Sequence, residues 1–137
     1  MNPKFMKTRN ALLLVSGALL LLVASMILIS PAAFYAANGI ELGAGPSLVN
    51  ELKAPAGLLL LAGLLMLGAI VVRPLADTAL WLGALIYLGY AASRFLSMAV
   101  DGLPATGLVQ AAGLEAIIGV ACLGVAVMRS ATAGSLK

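Results

Sequence analysis

Tyr87, Tyr90, Arg94, Ser97 and Asp101 follow Gly83 at intervals of 4, 3, 4, 3 and 4 residues, in a stretch that is otherwise almost wholly apolar. That spacing lines them up along one face of a helix. Two phenols, a guanidinium, a hydroxyl and a carboxylate on one face form a hydrogen-bonding strip able to hold a polar or charged head group. A second set, Ala112, Glu115, Gly119, Cys122 and Ala126, repeats the helical spacing with small residues and one acid. The chain has no histidine and a single cysteine, which excludes cysteine/histidine metal sites and an intrachain disulfide. Any proton chemistry would fall to carboxylates, lysine, tyrosine or the thiol. No cofactor or metal is expected.

The elements that carry these residues follow from composition. Of the 137 residues, 63% are hydrophobic and 9% charged, too few charges to solvate the surface of a soluble domain. Lipid is then the solvent, and the chain reads as a single integral membrane domain. Four apolar runs, residues 11–30, 54–72, 78–97 and 105–128, each approach the ~20 residues that a helix needs to cross hydrocarbon. None alternates as a barrel strand would. The expected fold class is all-α, a four-helix transmembrane bundle. The first run is too long for the core of a cleaved signal and is read as a retained span ended by Pro31.

Lys4, Lys7, Arg9, Arg73, Arg129 and Lys137 fall on one side of four alternating spans, with Asp77 the sole acid there. This asymmetry predicts that both termini are cytoplasmic. The long loop after the first run is apolar enough to lie on the membrane surface, with Phe34 and Tyr35 as interfacial aromatics and Asn38-Gly39 as a turn. No basic stripe interleaved with aromatics is present, so nucleic acid is not an expected partner.

On this topology Asn50, Glu51, Lys53, Tyr90, Arg94, Ser97, Asp101 and Glu115 gather in the outer half of the bundle. Glu115 lies roughly 14 Å inside its span, beyond the reach of a glutamate to the head groups. An acid there must be protonated, paired or wetted, and Arg94 on the preceding helix is the expected companion, with Glu51 a further acid near it. Ser47 or Asn50 would cap the second span, with Glu51 in its first turn. Simpler readings stand beside these. Arg94 could snorkel to the head groups, Asp101-Gly102-Leu103-Pro104 could be a plain turn, and Cys122 is a small core residue.

The stretches "NELKAPAG" and "SRFLSMAVDGLP", together with Glu115, resemble the bacterial family known as domain of unknown function 4345. That family shows an asparagine-glutamate opening to its second helix, an arginine-serine-aspartate-glycine-proline segment and a glutamate in its last helix. Here Lys53 stands where arginine is common, and Ser93 replaces the glycine before Arg94. The resemblance implies a four-helix membrane bundle and supplies no activity.

The expected function is binding of a membrane lipid or small amphiphilic ligand in a polar pocket formed by these eight residues. The alternative is a structural or accessory subunit docking a membrane protein partner or a second copy of the chain. A membrane enzyme or proton-coupled transporter using Glu115 comes third, because no nucleophile or cofactor motif supports catalysis.

Overall fold

The computed structural model describes residues 3–43 and 45–134, with side chains to residue 130. Lys137, counted in the charge asymmetry, lies outside the described residues. Among the described residues, five α-helices account for the architecture: α1 (Pro3–Ile29), α2 (Pro31–Ala36), α3 (Pro46–Val71), α4 (Ala76–Asp101) and α5 (Thr106–Gly134). A single 3-10 turn, Arg73–Leu75, joins α3 to α4. No strand occurs among the described residues. The four long helices are each long and apolar enough to cross a membrane.

The helices run beyond the apolar runs, because backbone hydrogen bonding continues where hydropathy stops. The 27 residues of α1 make a rod of about 40 Å, longer than the ~30 Å of a hydrocarbon core. Proline sets the boundaries. Pro31 stops α1 and opens α2, and Pro46 occupies the first turn of α3 behind the N-cap Gly45. Ser47 and Asn50 therefore do not cap α3. Glu51 lies in its second turn, since the helix starts earlier than the apolar run. Pro55 sits inside α3 and leaves the Glu51 carbonyl without its helical donor. Gly39 (φ 74°) closes α2 and Gly102 (φ 98°) closes α4, both in conformations that L side chains rarely adopt.

Arg94, late in α4, meets Glu115, early in α5, while Asp77 at the start of α4 meets Arg129 near the end of α5. The two helices are thus antiparallel. The halves of α1 and α3 that join them around one cavity show that the long helices alternate in direction. Two intimate pairs result, α1 with α3 and α4 with α5, joined along a thinner α3–α4 seam.

Glycines permit the pairs. The Gly17 and Gly63 backbones face each other so closely that a Cβ on Gly63 would lie 2.9 Å from the Gly17 carbonyl oxygen. In hydrocarbon, where apolar burial gives helices no reason to associate, such contact is a main source of cohesion. Between the pairs, Leu13, Ser16, Met66, Leu80 and Cys122 form a fully buried layer. The α5 positions Ala112, Cys122 and Ala126 are buried as well, while Ile117 and Val120 face outward.

A Cβ at Gly119 would lie 2.7 Å from Leu88 Cγ and 2.9 Å from the Leu88 amide nitrogen, whereas one at Gly57 meets nothing within 4 Å. Gly119→Ala is therefore expected to destabilise the bundle by about 1–3 kcal/mol. Gly57→Ala should be neutral or gain up to about 1 kcal/mol of helix propensity. Thermal unfolding of both variants in the same mild detergent separates the two outcomes.

Candidate functional site

Opposite the termini, the two helix pairs border a cavity of about 570 Å³. Late α1 contributes Leu19, Leu20, Val23 and Ile27, and early α3 contributes Leu52, Pro55, Ala56 and Leu59. These walls are wholly apolar. Late α4 and early α5 supply the polar wall, through Tyr87, Tyr90, Ser93, Arg94, Ser97 and Glu115. The segment around α2 adds Phe34, Tyr35, Asn38 and Ile40.

Glu115 is the tenth residue of α5 and faces inward because it shares the helical phase of the buried Ala112, Ile118 and Cys122. Arg94 reaches it from α4. Its Nε donates to Glu115 Oε2 at 2.9 Å and to Oε1 at 3.2 Å. The side chains are 31% and 17% exposed, so the pair is largely withdrawn from the surroundings. An ion pair in that setting is held in place by a steep penalty on separating its members.

Below the pair, the Tyr87 hydroxyl donates to the Ser16 carbonyl oxygen at 2.7 Å, tying α4 to α1 at the edge of the buried layer. Above it, the Ser97 hydroxyl donates to Asp101 Oδ2 at 2.9 Å. The strip on α4 thus runs from a buried tyrosine, through a half-buried arginine, to an exposed aspartate.

The eight sequence-derived site residues divide. Tyr90, Arg94, Ser97 and Glu115 line the cavity. Asp101 is exposed at its margin, linked only through Ser97. Asn50 and Glu51 are exposed, Lys53 is half-buried, and none of the three lines the cavity. The phase of α3 explains this: Leu52, Pro55, Ala56 and Leu59 take its inward face, which turns Asn50 to the opposite side. The companion of Arg94 is Glu115 alone; Glu51 makes no ion pair among the described residues.

The contribution of α2 is a feature that sequence reasoning misses. Its form depends on a local closure: the Ile40 amide returns to the Tyr35 carbonyl oxygen at 3.0 Å, and Asn38 Nδ2 donates to the Phe34 carbonyl oxygen at 3.0 Å. The Phe34 and Tyr35 rings stack edge to face, with centroids 5.3 Å apart. A proline followed by paired aromatics and Asn-Gly signals a short helix with a stop, but says nothing of what it covers.

A second polar cluster lies at the end that bears the termini. Arg129 forks onto both oxygens of Asp77, pinning the end of α5 to the start of α4. Arg9, one of the cations counted on that side, is only 1% exposed and donates through Nε and Nη2 to Asn10 Oδ1 at 2.9 and 2.6 Å.

An up-and-down bundle of four spanning helices, apolar outside and holding an ion pair within, defines a multi-pass helical membrane protein. The chain belongs to the family described as domain of unknown function DUF4345, whose model matches residues 9–126. No curated protein and no solved structure matches it.

Coupling between Arg94 and Glu115 is directly measurable. Arg94→Gln strands the carboxylate, and Glu115→Gln strands the guanidinium. The double variant should therefore be more stable than the sum of the single losses predicts, by about 0.5–3 kcal/mol. Unfolding midpoints of the four proteins in one detergent give the cycle, and strictly additive losses would show that the two groups are not coupled.

Proposed function

We propose that the protein binds a lipid or small amphiphile in this cavity, within the outer half of a bacterial cytoplasmic membrane. The observation that carries the reading is a cavity of about 570 Å³, walled on two sides by aliphatic residues and on the third by an ion pair and phenols. Its size falls inside the range of about 300–1,000 Å³ typical of small-molecule sites. Leaving such a volume unfilled forfeits dispersion contacts along every wall, so an apolar chain gains by entering. The polar wall then fixes one end of the molecule. Tyr90, Arg94, Ser97 and Glu115 are the contact residues in this reading, with Asp101 orienting Ser97.

The orientation rests on charge. Lys4, Lys7, Arg9, Arg73 and Arg129 all belong to the end that bears the termini, and the positive-inside rule favours the cytoplasm for that end. The cavity then opens toward the outer leaflet. In cells, Ser47→Cys should react with a membrane-impermeant maleimide, while Ser130→Cys should not. The native thiol, Cys122, is fully buried and should give no background. Labelling of Ser130→Cys alone would invert the orientation.

Binding is tested by purification in mild detergent followed by mass spectrometry of what the protein retains. The wild type should carry a stoichiometric lipid or amphiphile. Ala111→Phe, which puts a bulky ring into the cavity from α5, one turn before Glu115, and keeps both charges, should not. Equal retention by both would place the bound molecule elsewhere and remove the cavity reading.

A further inference from the structure

Resting on that reading of the cavity, we infer that the ligand's head group is uncharged and accepts hydrogen bonds: an ester-, ketone- or quinone-type carbonyl rather than a phosphate or carboxylate.

The inference begins with the edge of Arg94 that Glu115 uses. The carboxylate takes only Nε, with 2.9 and 3.2 Å separations to its two oxygens. Neither terminal amino group makes a hydrogen bond with any described residue, although the side chain is 31% exposed on the cavity wall. A guanidinium carries five N–H donors, and four of them remain for a ligand. The Tyr90 hydroxyl, on the same wall, likewise makes no hydrogen bond among the described residues. Ser97 is different, because its proton is committed to Asp101 Oδ2. The wall therefore offers donors in excess, and donors facing an apolar space are costly until an acceptor meets them.

Charge selects among acceptors. Among the described residues that line the cavity, Arg94 and Glu115 are the only charged ones, and their charges cancel. An anionic head on the amino groups of Arg94 would bring an unbalanced negative charge beside the Glu115 carboxylate, in surroundings that screen poorly. A cationic head would meet the arginine. A carbonyl oxygen satisfies the donors and leaves the balance at zero. The chain of such a molecule has the aliphatic faces of α1 and α3 to lie against.

Two probes of equal chain length separate these cases: methyl hexadecanoate, an uncharged ester, and hexadecanesulfonate, a permanent anion. The purified full-length protein is offered both in equal amounts, and occupancy is read by native mass spectrometry. The wild type should favour the ester by about tenfold or more, since like charges set side by side are strongly penalised. Glu115→Gln, which leaves Arg94 uncompensated, should shift the preference toward the sulfonate. A wild type that prefers the sulfonate, or does not discriminate, overturns the neutral-head inference while leaving the cavity as a binding site. That comparison is made on the wild type and needs no variant to fold. If neither probe binds the wild type, or if Ala111→Phe binds both as well as the wild type does, the cavity reading itself fails.

Discussion

A carboxylate ten residues into a membrane-spanning helix is the constraint around which the bundle is arranged. Hydrocarbon does not solvate an ionised acid, and a glutamate cannot reach the interface from that depth. Arg94 resolves the problem by crossing from α4 to α5, which fixes the relative height and rotation of the two helices. Once they are fixed, Tyr87 is carried to its hydrogen bond with the Ser16 carbonyl oxygen and Gly119 to its close approach to Leu88. The pair is thus both a fastener and the polar end of the cavity.

Close contact and open space are complementary parts of the same arrangement. Glycine lets α1 touch α3 and α5 touch α4, and the layer of Leu13, Ser16, Met66, Leu80 and Cys122 seals the half of the bundle nearer the termini. Toward the other end Tyr90, Arg94 and Glu115 on one side face the aliphatic wall of α1 and α3 on the other, across the cavity. Pro55 interrupts the α3 ladder where it borders the space.

Much of this is legible in the sequence. The four spans can be read because lipid demands long apolar runs, and the strip on α4 because residues at intervals of three and four share a helical face. Depth makes a companion for Glu115 an expectation, and the neighbouring helix offers Arg94 at a matching height. Other features are hidden for physical reasons. The spacing of Leu19, Leu20, Val23 and Ile27 within a run of leucines offers no contrast by which to choose an inward face. The start of α3 at Pro46 depends on a proline preference that outweighs the capping potential of Ser47 and Asn50, and the helical phase that turns Leu52, Pro55, Ala56 and Leu59 inward leaves Glu51 and Lys53 off the cavity wall. The burial of Arg9 depends on where α1 meets α4 and α5, which no local pattern encodes.

The Asp77–Arg129 clamp has a mechanical consequence. Together with Arg94–Glu115 it fastens α4 to α5 at two separate levels, so those two helices behave as one stiff plank. The α1–α3 pair, held at Gly17 and Gly63, forms a second. Lateral pressure from the bilayer then acts on two planks meeting along a narrow seam, and the softest deformation is a scissoring of one against the other. The space between them swells or shrinks in that motion without breaking either ion pair.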